Sequence, residues 1–226
     1  MSSLTYNYSG QVALVAGGAS GIGHATARAF AEAGAWVAVA DMNVDQGLKT
    51  VHEIIENGGD AIFYQYDILQ PESIKTLIEH IEKRMGSLSY AFNCVGTNDS
   101  SNCTECTIEI WDQVIDVVLR GALLSMKYEI PLILRSGGGA IVNCAPNMEL
   151  SGKNVTPAYL AGEHGMMGLT KAMALEYSKK NIRINAICPA QAQPEEVAAA
   201  VLWLCSEQSS LVTGHSLTTE GRWASQ

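Results

Sequence analysis

Tyr159 and Glu163 stand four residues apart in the stretch P-A-Y-L-A-G-E-H-G-M-M-G-L-T-K-A-M-A-L-E-Y, Pro157 to Tyr177. On a helix the two side chains share a face, one turn apart. A phenol beside an ionisable group is an acid/base device, but a carboxylate has the wrong sign to make tyrosine a better acid. At about 5 Å and an effective dielectric near 20 it disfavours phenolate by roughly 3 kcal/mol, or about 2 pKa units. His164 lies about 100° further round the helix and is directed away from the pair.

A second constellation sits near the start, in V-A-L-V-A-G-G-A-S-G-I-G, where Gly17, Gly21 and Gly23 follow an apolar run and open a helical pattern. Glycines there allow a tight turn and close approach of a pyrophosphate, which rests on the helix N-terminus. Asp41 ends the next apolar run, where a carboxylate accepts hydrogen bonds from ribose hydroxyls and repels a 2′-phosphate. The pair points to NAD rather than NADP.

Both constellations need rigid supports, and the apolar pattern supplies them. Strand-like runs are predicted at Val12–Ala16, Trp36–Ala40, Ala61–Gln65, Tyr90–Asn93, Ala140–Cys144, Arg183–Cys188 and Ser216–Thr219. Between them fall helical patterns at Ile22–Ala33, Val44–Asn57, Pro71–Met85, Ile108–Arg135, Pro157–Tyr177 and Pro194–Leu204. Pro131 is expected to bend or break the long pattern from Ile108 to Arg135. Short buried strands alternating with long helices predict an α/β protein, a parallel sheet with helices on both faces. Within the helix from Pro157, Gly162, Gly165 and Gly168 keep the surface low for a close neighbour.

The bulk numbers agree with one domain over residues 1–226, with residues 1–8 as a flexible tail. A net charge of −9 argues against a nucleic-acid or anionic-membrane surface. With neither a membrane-length apolar run nor a signal-peptide pattern, the expectation is a soluble cytoplasmic protein. Of the six cysteines, Cys94, Cys144 and Cys188 fall in or at the ends of strand-like runs and read as small hydrophobes. Cys103 and Cys106 read as loop thiols, and no metal set is expected.

In combination and order, these motifs resemble the short-chain dehydrogenase/reductase family from about Tyr8 onward. They are A-G-G-A-S-G-I-G at 16–23, Asp41, Asp67, N-C-V-G at 93–96, W-D-x-V at 111–114, G-A-I-V-N at 139–143, A-Y at 158–159, I-R-I-N-A-I-C-P at 182–189, P-E-E-V-A at 194–198 and T-G-H at 213–215. The resemblance implies a single Rossmann-type, doubly wound domain that binds NAD(H) and a small-molecule substrate. It implies cofactor contacts from Gly17, Ser20, Gly21, Ile22, Gly23, Asp41, Asp67, Ile68, Asn93, Val95, Gly96 and Pro189. It also implies a homodimer or homotetramer built on the helices at 108–135 and 157–178.

The resemblance places the family's catalytic asparagine on Val118, its serine on Pro146, its tyrosine on Tyr159 and its lysine on Glu163. Valine holds no relay water, and proline has neither hydroxyl nor N–H to polarise a carbonyl. Ala16 replaces the family's threonine at the front of the glycine motif. Only residues 190–193 separate Pro189 from the next helix, where relatives carry a longer substrate lid. The resulting expectation is a non-redox or non-catalytic member of the fold. Two alternatives stand beside it: an isomerase, lyase or cyclase using Tyr159 and Glu163, and an NAD-dependent alcohol/ketone oxidoreductase with an atypical site.

Overall fold

The computed structural model describes residues 6–96, 103–145, 156–189 and 192–219. Seven strands form one parallel sheet: β1 (Val12–Ala16), β2 (Trp36–Asp41), β3 (Asp60–Gln65), β4 (Tyr90–Asn93), β5 (Gly139–Cys144), β6 (Ile182–Pro189) and β7 (Ser216–Thr219). Their spatial order is β3-β2-β1-β4-β5-β6-β7, so the chain reverses direction across the sheet between β1 and β4. A parallel pair needs a crossover, and each crossover buries one face of the sheet. This explains why β1 reads V-A-L-V-A and is buried at every position.

Helices α1 (Gly21–Glu32), α2 (Val44–Glu56) and α7 (Pro194–Cys205) cover one face. Phe30, Val37, Phe92 and Val201 belong to that core. Helices α3 (Pro71–Met85), α4 (Ile108–Ile115), α5 (Gly121–Arg135) and α6 (Pro157–Tyr177) cover the other, around Leu14, Ile81, Met126 and Ile184.

The long pattern from Ile108 to Arg135 breaks, but not at Pro131. A π-helical turn, Asp116–Arg120, joins α4 to α5, and Pro131 continues inside α5. Pro131 is exposed, so water can serve the carbonyl that loses its amide partner. The π turn instead carries Val118 and Leu119 onto the low face of α6. A Cβ at Gly162 would sit 3.2 Å from Val118 Cγ1, and one at Gly165 2.8 Å from Leu119 Cδ2.

The beginning of the chain also departs from expectation. Residues 1–5 lie outside the described region, but Tyr8 is 3 % exposed, packed between Phe30 and Tyr90 at centroid distances of 5.3 and 5.0 Å. Its hydroxyl donates to the Leu202 carbonyl on α7. An aromatic ring with a buried partner for its polar tip is an anchor, not a tail. Tyr8→Ala is therefore expected to cost about 3–5 kcal/mol in urea unfolding, the range for deleting a large buried ring. A loss under about 1 kcal/mol would return these residues to the tail.

Candidate functional site

At the carboxyl end of β1 the chain turns through Gly17, with φ +78°, into the first turn of α1. The Gly17 and Gly18 amides donate to the Ala40 carbonyl at 2.8 and 3.3 Å, tying the turn to β2. A Cβ on Gly17 would run into the Cys94 carbonyl oxygen, and one on Gly23 into the Gly17 carbonyl oxygen. These two glycines are required by backbone-to-backbone contact. Gly21 differs: its φ is +50°, and a Cβ there would meet nothing within 4 Å. The turn is closed from below and open above, and α1 begins at the open side with no acidic residue in its first turn. That leaves its N–H groups and dipole available to an anion.

A cavity of ≈ 270 Å³ lies at this point, where the strand order reverses. Of the expected cofactor residues, Gly17, Ser20, Asp41, Ile68, Val95 and Gly96 line it. Met42, Tyr66 and Cys94 line it too, and sequence reasoning missed them. Met42 follows Asp41, Cys94 lies between Asn93 and Val95, and Tyr66 precedes Asp67; that adjacency to expected residues was the available signal. Asp41 accepts from the Ala19 amide at 3.1 Å and the Asn43 amide at 2.9 Å, which holds its carboxylate against the turn. Gly21, Ile22 and Gly23 shape the start of α1 rather than the cavity wall. Asp67 accepts from the Leu69 amide at 2.8 Å, and Pro189 is buried at the end of β6. Asn93 is buried with its amide on Glu129 and Asn143, and it is not part of the wall.

A larger cleft of ≈ 500 Å³ opens between α1 and α7, lined in part by Arg28, Glu32 and Glu195. It flanks the helices, away from the carboxyl ends of the strands where ligands of such sheets bind.

Tyr159 occupies the first turn of α6. Thr156 caps that helix, its hydroxyl accepting from the Tyr159 amide at 3.3 Å, and Pro157 pre-sets the first turn. The phenol reaches the end of β4: a Cβ on Gly96 would lie 3.6 Å from Tyr159 Oη. The phenol is pushed well above its ordinary pKa, first by burial, then by the Cys144 and Cys94 thiols, and last by Glu163. The sequence assigned this shift to Glu163. The direction agrees, but desolvation leads, because Tyr159 is 7 % exposed. Glu163 is itself 2 % exposed. Cys188 feels it: burial first and Glu163 second push that thiol up to about 11. The thiols at the ends of β4, β5 and β6 are thus part of the tyrosine's surroundings and not only packing.

Val118 is buried in the π turn against α6, and Pro146 falls outside the described residues. His164 is exposed, its Nδ1 2.9 Å from the Leu160 carbonyl, and takes no part. Cys103 and Cys106 are free thiols. No helix among the described residues is long and apolar enough to cross a membrane.

A reversing parallel sheet, a glycine turn at the switch point and a tyrosine over the end of β4 define a dinucleotide-binding α/β protein. Residues 11–201 match the short chain dehydrogenase family model. The chain is 38% identical over 247 residues to a cyclohexanol dehydrogenase of Acinetobacter sp., covering 99% of this chain and 98% of the relative. It is 32% identical over 244 residues to a 2,5-dichloro-2,5-cyclohexadiene-1,4-diol dehydrogenase of Sphingobium indicum, covering 94% of this chain and 96% of the relative. Among solved structures, a citronellol catabolism dehydrogenase of Pseudomonas aeruginosa superposes with a TM-score of 0.90 at 26% identity, covering 98% of each chain. The chain belongs to the short-chain dehydrogenase family. Membership brings a nicotinamide dinucleotide and a small-molecule substrate.

These relatives overturn the expectation of a non-redox member. Proteins this similar over nearly their whole length are named as dehydrogenases, so the missing motif residues do not mark a chain that has left redox chemistry. The alignment with the cyclohexanol dehydrogenase, at 247 residues, is longer than this chain's 226, so that relative carries residues this one lacks.

The two kinds of glycine separate by substitution. Gly17→Ala should lower the melting temperature by several degrees, through strain at positive φ and the clash with Cys94. Gly21→Ala should fold at a cost of about 1 kcal/mol yet weaken NADH binding about tenfold or more, read by calorimetry. Equal binding by Gly21→Ala and wild type would remove the cavity above α1 from the cofactor path.

Proposed function

We propose that this chain is an NAD-dependent dehydrogenase interconverting a secondary alcohol and a ketone on a ring-shaped small molecule. The observation that carries the reading is the buried phenol of Tyr159 directed at Gly96, on the rim of the cavity. The substrate class rests on the relatives, two of which are named for cyclic alcohols.

When bound, the dinucleotide supplies or accepts a hydride. The protein's part is to bind, to orient and to handle one proton. Gly17, Gly21 and Gly23 let the backbone approach the pyrophosphate at the start of α1. Asp41, held by two backbone amides, receives the adenosine ribose hydroxyls and disfavours a 2′-phosphate. Val95 and Gly96 continue that floor toward Tyr159. Tyr159 holds its proton at Oη and gives it to the developing alkoxide oxygen when a ketone is reduced. Exposed Ile108, Trp111 and Leu123 on α4 and α5 are consistent with a homodimer through these helices.

The raised phenol pKa sets how the rate in each direction responds to pH. A proton donor with a high pKa stays charged with its proton across the neutral range, so ketone reduction should be flat with pH there. Alcohol oxidation needs the phenolate, whose fraction rises about tenfold per pH unit below the pKa, so that rate should climb steeply toward alkaline pH. Tyr159→Phe should lower kcat for cyclohexanone reduction by about 10²–10⁴ with little change in KM. Glu163→Gln should raise neutral-pH oxidation only a few-fold, since burial outweighs this carboxylate. Asp41→Ser should narrow the preference for NAD over NADP by about tenfold. Unchanged turnover in Tyr159→Phe, or no turnover of any cyclic alcohol or ketone by wild type, would overturn the assignment.

A further inference from the structure

A run of buried polar side chains lies beneath the cavity and takes no part in the scheme above. Glu129, on the inner face of α5, is 1 % exposed. Asn93 donates through Nδ2 to Glu129 Oε2 at 3.2 Å and to Asn143 Oδ1 at 3.1 Å. Asn143 donates onward to Thr170 Oγ1 at 3.1 Å. The run crosses from α5 through β4 and β5 to α6. Asn93 Oδ1, also buried, has no hydrogen-bond partner among the described residues.

An amide offers a donor and an acceptor side by side, and so does a protonated carboxyl. With both Nδ2 hydrogens engaged as found, a proton on Glu129 would be the donor that Asn93 Oδ1 lacks. An ionised Glu129 leaves that acceptor orphaned beside a buried charge, which is the costly arrangement.

We propose that Glu129 is a proton-binding site paired with Asn93, and that release of its proton to solvent places a negative charge behind the cavity and weakens dinucleotide binding. The second half rests on the cofactor reading above; the first does not. Asn93 is followed directly by Cys94, Val95 and Gly96, which line the cavity, so the charge appears one residue behind its wall.

Among the described residues, the surroundings contain nothing that neutralises it. The β3–α3 connection brings the Tyr66 phenol, which burial and then Glu129 hold far above its usual range, with smaller contributions from Asp41, Cys94 and Asp67. All of these are neutral or anionic. Asn143 comes from β5 and Thr170 from α6, while α3 packs on α5 through apolar residues such as Leu77 and Ile81. Among the described residues, no lysine, arginine or histidine contributes to the Glu129 carboxyl. Burial pushes it up to about 7, opposed only by the Asn93 hydrogen bond. A carboxyl raised above its unfolded value of 4.5 binds its proton more tightly in the folded state. Its contribution to stability is therefore full below about pH 4.5 and is lost as pH rises through about 7.

The test uses the whole chain labelled at glutamate carboxyl carbons. In wild type, one carboxyl resonance should titrate with a midpoint near pH 7, and that resonance should vanish in Glu129→Gln. By calorimetry, the NADH dissociation constant of wild type should rise roughly three- to tenfold from about pH 6 to about pH 8, and stay flat in Glu129→Gln, which keeps the amide contact without the charge. No glutamate titrating above about pH 6 would overturn the proton site, and this measurement needs no variant to fold. Equal pH dependence in wild type and variant would overturn the coupling. NADH binding absent at every pH would overturn the cofactor reading and the coupling with it, while the carboxyl midpoint still decides the proton site.

Discussion

One close approach governs the active end of this molecule: the Gly17 backbone lies against the Cys94 carbonyl, a contact that a single Cβ would forbid. It joins the end of β1 to the end of β4, the two strands between which the chain reverses its order across the sheet. The start of α1, the Asp41 carboxylate and the Val95–Gly96 floor are all placed relative to this junction. Gly23, with its own Cβ excluded by the Gly17 carbonyl, keeps α1 seated on the turn. Strand ends this tightly joined give a ligand a rigid floor, and rigidity here is what orientation of a reacting group requires.

The chemistry above that floor is set more by exclusion of water than by any one charge. Tyr159 is enclosed by the thiols of Cys94 and Cys144 and by Glu163, with burial contributing most to its resistance to ionisation. Replacing a cation by Glu163 therefore removes a force that would have opposed desolvation, and adds only a smaller one of the same sign as desolvation. The result is a good proton holder and a poor proton acceptor. A similar balance acts on Glu129, where burial is opposed by one amide. Both groups are governed by low dielectric, with burial the leading influence on each.

Much of the fold could be read from the chain because both sheet faces are covered, which turns each strand into an unbroken apolar run. The bounds of β1, β4, β7, α3 and α6 agree with the sequence pattern, and other elements differ by a residue or so at an end. The π turn was not legible, since periodicity continues across it and Pro131 offered a stronger but misleading signal. Pro131 is tolerated inside α5, on a face exposed to water. Tyr8 was misjudged because polar neighbours hid a ring whose partners lie far along the chain. The cofactor turn was legible because its glycines answer to local backbone geometry. Asn93 and Glu129 were not, because their pairing arises only when α5 folds over β4. The functional expectation failed for a related reason. It counted side chains at Val118, Pro146 and Glu163, whereas relatives that keep the dehydrogenase name resemble the chain along nearly its whole length.

The Tyr8–Leu202 bond links residues 194 positions apart, so the anchor waits for a helix made long after it. Closing so long a loop is entropically slow, and contacts of this span retard folding more than they add to final stability. On a ribosome, β1, β2 and β3 emerge well before α7 exists to receive the tyrosine. Until then Phe30 and Tyr90 lack part of their cover, and the apolar strands beside them stay open to misassociation. The completed sheet is thus sealed late, by a tyrosine that waits through 194 further residues for the carbonyl it meets.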